Sequence, residues 1–173
     1  GCVMWPLIVA VNGAAGIGVT SACQRLYHAL KHKYKIKIVS LAMYRDVYNF
    51  ELAYLAKKYD DYDIVIMDRH SNVTSVINKQ LKNSLFTDDS ICPDISFVLC
   101  CHYQTYRKRV GNTNNKTFAI INGYSDAPAA VFGTDNHHRV SIEGDYGHLS
   151  ACADMLRHIN KAMEHRYATH AVT

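Results

Sequence analysis

From Asn12 to Ser21 the chain reads N-G-A-A-G-I-G-V-T-S. Gly13, Gly18 and Thr20 fall at the spacing G-x-x-x-x-G-K-[ST] of a phosphate-binding loop, with Val19 in the lysine slot. That spacing has a physical basis. Glycines let the backbone curl until successive N–H groups converge, and a following helix N-terminus adds partial positive charge. The Thr20 hydroxyl is the group that would reach Mg²⁺, whereas Val19 offers neither charge nor a hydrogen bond. A glycine-rich strand-to-helix turn of another α/β fold carries similar residues, so context must decide.

Two further groups bear on the same chemistry. Asp68-Arg69-His70 follows an apolar run, where an aspartate can hold Mg²⁺ through water and an arginine can reach a phosphate or a substrate hydroxyl. Arg107-Lys108-Arg109 follows a later apolar run and its turn. It reads either as a basic lid over phosphates or as the solvated positive end of a helix.

The elements that would position these residues alternate along the chain. Leu7–Val11 is wholly apolar, as for a strand buried on both faces of a parallel sheet. Ser21–Lys33 reads as an amphipathic helix and Lys35–Leu41 as a second strand. A helix over Val47–Lys58, a strand over Asp63–Asp68 and a helix over Val73–Leu85 follow. Asp94–Cys100 is a fourth strand, Gly111–Asn136 a long polar loop or lid, Arg139–Ile142 a fifth strand and His148–Arg166 a final helix. Strands alternating with helices predict a single α/β domain, a three-layer sandwich with a five-stranded, mostly parallel sheet. On such sheets ligands sit beyond the carboxyl ends of the strands, which is where all three candidate groups fall.

"NGAAGIGVTS" is similar to the D-G-x-x-G-x-G-K-T-T loop of viral thymidine kinases and deoxynucleoside kinases. "DIVIMDRHS" resembles the D-R-[HSY] motif of those enzymes and of thymidylate kinases, and "CPDISFVLCCHYQTYRKRV" resembles their P-D strand and lid arginines. The resemblance to this phosphate-loop nucleoside/nucleotide kinase superfamily runs from Leu7 to about Arg166, with these three patches at motif grade. It implies phosphoryl transfer from ATP, with Mg²⁺, to a nucleoside or nucleoside monophosphate. Carried over, Gly13, Gly16, Gly18, Thr20 and the adjoining Val19 and Ser21 would hold the donor phosphates, with Thr20 and Asp68 at the metal. Asp68 and Arg69 would sit by the acceptor, and Arg107 and Arg109 would clamp the transferring group.

Three departures shape the expected activity. Val19 removes the loop lysine, Asn12 replaces the acidic start, and the Glu-Pro after the second strand is missing, with Asp46 or Glu51 the nearest carboxylates. Transfer depends almost wholly on positioning and charge stabilisation, so one lost cation should cost roughly 10²–10⁴ in rate. The sequence therefore predicts a kinase fold with weak or lost transfer that can still bind nucleotide. An active kinase and a scaffold protein, with a protein partner or as a homo-oligomer, stay open as alternatives. Tyr44, Tyr48, Tyr54, Tyr59 and Tyr62 would suit a base-stacking pocket or a partner surface equally.

Composition sets the remaining bounds. The 173 residues suffice for one domain with a core, and 49% hydrophobic against 20% charged residues excludes a disordered chain. A net charge of +4 suits an anionic ligand, but no dense Lys/Arg stripe points to nucleic acid. No apolar run reaches the ~20 residues of a membrane span, and the first residues lack a signal peptide's charged start. Six cysteines without C-x-x-C spacing, Cys100 and Cys101 read as small buried hydrophobes, suggest a reducing, cytoplasmic setting, and the resemblance to viral kinases implies the host cell or virion for a viral protein. Among the ten histidines no H-x-x-x-H or H-E-x-x-H pair sits on a helical face with a third ligand nearby, so they read as surface residues.

Overall fold

A computed structural model describes residues 6–40, 59–69, 92–111, 118–119, 121 and 132–171. Within them β1 (Leu7–Gly13), β2 (Ile36–Ser40), β3 (Ile64–Asp68), β4 (Ile95–Cys100) and β5 (His137–Ser141) form one all-parallel sheet, order β2-β3-β1-β4-β5. The described helices are α1 (Val19–Leu30), α2 (Tyr103–Val110) and α3 (Gly147–Ala171). The chain is a three-layer α/β sandwich, as the alternation of elements implied.

Side-chain alternation along β1 explains the layering. Leu7, Val9 and Val11 share one core with Ile64, Ile66, Phe97 and the buried stripes of α1 and α3. Ile8 and Ala10 face the other way, into a smaller cluster with Val39, Tyr59, Val65 and Met67. β1 and β3 are buried at every position, which is why they read as unbroken apolar runs. Edge strand β5 buries only Val140.

Helix α1 buries Val19, Ala22, Cys23, Leu26 and Leu30, the three-and-four spacing that keeps one stripe on the sheet. On α3, Ala151, Met155, Ile159 and Met163 do the same at steps of one turn. Several boundaries differ from the sequence reading. β1 runs on to Gly13, α1 begins at Val19 because Gly18 caps it, and α3 extends to Ala171. β5 begins two residues and ends one residue earlier than expected, since Ser96–Cys100 pairs with His137–Ser141.

The expected helices over Val47–Lys58 and Val73–Leu85 lie outside the described residues, as do Asp46, Glu51, Tyr44, Tyr48 and Tyr54. Tyr59 and Tyr62 meet edge-to-face at 5.7 Å in the turn before β3, with Lys37 and Lys35 over their rings. That places these two at the amino end of the sheet. Of the expected 111–136 loop, the described Phe118, Ile121 and Phe132 are buried in the core, so it is not a wholly solvated lid. Cys100 and Cys101 are unbridged but only half-buried, because β4 emerges there from between the layers.

Candidate functional site

The connection leaving β1 leads towards β2 and that leaving neighbouring β4 leads towards β5, so a crevice opens between diverging chains at their carboxyl ends. The glycine loop fills it. Gly16 and Gly18 adopt φ of 78° and 110°, the left-handed region that side chains avoid. A Cβ on Gly16 would stand 2.8 Å from Val110, and one on Gly18 would stand 3.0 Å from His148. Both glycines thus allow close approach of α2 and α3 to the loop.

Three successive loop carbonyls are held from outside. Arg69 donates to the carbonyls of Gly13 and Ala14, and the Tyr106 hydroxyl donates to that of Ala15 at 2.6 Å. Arg69 is the only described non-glycine residue with positive φ, at 70°, and this turn of the backbone directs its side chain back over the loop. Burial pulls its pKa down, opposed first by Asp68. With these carbonyls engaged as acceptors, the loop can meet a ligand through backbone N–H donors, among them those of the first turn of α1, which have no partner within the helix.

Thr20 donates its hydroxyl to Asp68 Oδ2 at 2.7 Å, joining the start of α1 to the end of β3. Asp68 is 7% exposed. Val19 is 1% exposed and belongs to the apolar core, 3.1 Å from where a Cβ on Gly13 would lie. The lysine slot therefore holds a buried aliphatic group packed beside Gly13 of the loop, with no cation.

On the outer side of the loop lies a cavity of about 160 Å³ lined by Gly16, Gly18, Ser21, Arg25, Arg109 and His148, with Tyr106 and Ile142 among its apolar walls. Arg109 donates to the carbonyls of Ile142 at 3.0 Å and Gly144 at 3.2 Å. His148 reaches this position because the turn before α3 is tight. A Cβ on Gly147 would lie 1.9 Å from the Ile142 carbonyl oxygen, so only glycine fits. Glu143, in the same turn, accepts from the His102 N–H at 2.5 Å and the Thr105 hydroxyl at 2.8 Å. It caps α2, and these bonds hold its carboxyl pKa below the usual range.

Gly13, Gly16, Gly18, Thr20, Ser21, Asp68 and Arg69 come together at one edge of the sheet. Arg107 and Arg109 do not act as a pair. Two residues apart on a helix they project about 200° apart, and Arg109 faces the cavity with Tyr106 and Val110 while Arg107 is exposed outside its lining. Sequence reading missed Arg25, Tyr106, Glu143 and His148. Arg25 does sit one turn beyond Ser21, and Tyr106, Arg109 and Val110 follow the i, i+3, i+4 rule, so part of the cleft was written as helical spacing. Among the described residues no cluster of three or more metal-ligating side chains exists and no helix is long and apolar enough to cross a membrane. Set against known proteins, the chain matches no family model and no curated protein sequence.

Proposed function

We propose that the chain is a phosphate-loop protein of the nucleoside/nucleotide-kinase kind that retains nucleotide binding and has weak or lost phosphoryl transfer. The observation that carries this reading is the burial of Val19, 1% exposed, beside an intact Thr20–Asp68 pair. The glycines and the start of α1 keep the backbone donors that take an anion without any side chain. What is gone is the cation that would follow charge as it develops.

Thr20 and Asp68 fit a magnesium ion. Both present hard oxygen atoms at one point, 2.7 Å apart, and Mg²⁺ commonly takes one or two protein ligands with water and phosphate oxygens completing the shell. Bound there, Mg²⁺ would neutralise charge on a phosphate chain. Asp68 would hold it, Thr20 would orient it, and Arg69, committed to the loop carbonyls, would keep the cradle shaped. A reducing cytoplasmic setting accords with the unbridged state of Cys23, Cys92, Cys100, Cys101 and Cys152.

The test is a transfer assay with γ-labelled ATP, Mg²⁺ and a panel of nucleosides and nucleoside monophosphates. Wild-type protein should label none of them appreciably. Val19→Lys should bind ATP more tightly yet gain little turnover. Robust wild-type labelling would establish an active kinase and overturn the reading.

A further inference from the structure

We propose that the cleft between the first turns of α1 and α3 is a binding site for a phosphoryl-type oxyanion, held by Arg25, Arg109 and His148 on the outer side of the glycine loop. It shares Gly16, Gly18 and Ser21 with the loop, but Thr20 and Asp68 do not line it, so it does not need the magnesium pair proposed above.

The hydrogen-bonding groups at this cleft supply donors with no matching acceptor. Arg25 Nη1 and His148 Nδ1 are buried, and neither has a hydrogen-bond partner among the described residues. Arg109 Nη1 lies 3.4 Å from His148 Nε2. A guanidinium only donates, so Nε2 is the acceptor and the imidazole proton sits on Nδ1. Arg25 and His148 thus both carry N–H groups that lack an acceptor, and leaving buried donors unmet is costly. Among the described residues no carboxylate lines the cavity, and the nearby Glu143 is engaged by His102 and Thr105.

Charge points the same way. The two carbonyls that anchor Arg109 do not neutralise it, although Glu143 in the same turn offsets part of its charge. The first turns of α1 and α3 contain no acidic residue and add partial positive charge. The apolar walls, Ile17, Val110 and Ile142, lower the local dielectric and strengthen attraction to an anion. Size selects the class. About 160 Å³ is below the roughly 300 Å³ at which pockets for drug-sized ligands begin, so the cleft admits a tetrahedral oxyanion or one phosphoryl group, not a whole nucleotide.

The titratable groups around His148 are Arg25 on α1, Cys152 further along α3, Tyr106 and Arg109 on α2, and Cys101 at the end of β4. Burial first, then Arg109 and Arg25, hold the His148 pKa below its ordinary value. A bound anion reverses the repulsion and favours the imidazolium, so binding takes up a proton and tightens as pH falls.

Isothermal titration calorimetry of the full chain tests this, with sulfate as the probe because its charge is constant from pH 6 to 8. Sulfate should bind at one site, without Mg²⁺, and more tightly at pH 6 than at pH 8. Arg25→Gln should weaken it about 10-fold or more, Arg25→Lys should weaken it less, and His148→Asn should abolish the pH dependence. Arg157→Gln, which removes one exposed charge elsewhere on α3, should change nothing. Orthophosphate should compete with sulfate. Displacement of sulfate by ATP but not adenosine would identify a nucleotide's phosphate as the source, and failure of ATP to displace it would identify the free oxyanion. No sulfate binding, or binding that Arg25→Gln and His148→Asn leave intact in folded protein, would overturn the proposal. Loss of Mg²⁺-dependent ATP binding with sulfate binding retained would count against the loop reading alone.

Discussion

The two ends of the sheet use polar side chains in opposite ways. At the carboxyl end Arg69, Tyr106 and Arg109 donate to backbone carbonyls, and Arg25 and His148 retain buried donor atoms without partners among the described residues. At the amino end the groups largely answer one another, His137 Nε2 excepted. Asp94 accepts from the Ile8 N–H at 2.8 Å, His137 pairs with Ser96, and His138 pairs with Asn136. The rings there also stack, His137 on Phe132 at 3.9 Å and His138 on His158 at 3.7 Å. Burial, followed by His138 and Arg139, pushes the His137 pKa down to about 4, so its ring is neutral at ordinary pH. Stacked rings, that of His137 neutral, close one end. Buried donors lacking acceptors, Arg25 and His148, mark the other as a place for recognition.

The largest effect expected from breaking this contrast lies at the amino end. Phe132 is 1% exposed, and Phe132→Ala should lower unfolding free energy by about 3–5 kcal/mol in a urea titration. Sulfate affinity of the folded protein should not change. A cost under about 1 kcal/mol would mean that the stacked rings are not what closes that end.

A smaller effect should appear with pH. The folded His137 pKa, about 4, lies below its ordinary 6.5, so between these values the unfolded chain binds the proton and the folded chain does not. Its contribution is therefore complete above pH 6.5 and is lost as pH falls towards about 4. Urea midpoints at pH 7.5, 5.5 and 4.5 should decline in wild type, and decline less steeply in His137→Phe. Parallel curves would remove His137 from the account.

The smallest change belongs to the loop. Tyr106→Phe deletes the bond to the exposed Ala15 residue's carbonyl and should cost roughly 0.5–1.5 kcal/mol. It should also raise amide exchange in the loop. Unchanged exchange would show that Arg69 alone holds the cradle.

How far the sequence disclosed this arrangement depended on where its signals lie. β1, β3 and β4 are central, and their apolar runs were legible because both faces are buried. β5 was displaced in the reading because His137 and His138, polar in sequence, pack as rings. α2 was not read as a defined helix: it buries only Tyr106, and its first turn is capped by Glu143, 41 residues beyond His102. The glycine spacing and Asp68 were legible as a local motif, and the missing cation at Val19 was plain. Its burial in the core was not, since that depends on how the loop turns. The outer cleft was hidden because Arg25, Arg109 and His148 meet only through tertiary packing of α1, α2 and α3.

The central claim of the proposal is that the glycine loop takes a phosphate chain although a core valine stands in the lysine slot. Calorimetric titration of ATP with and without Mg²⁺, into wild type and Val19→Lys, measures this directly. The account predicts Mg²⁺-dependent binding by wild type and about 10-fold tighter binding by Val19→Lys, the gain of one charge-assisted hydrogen bond. Absence of wild-type binding, together with an affinity unmoved by Val19→Lys, would contradict it.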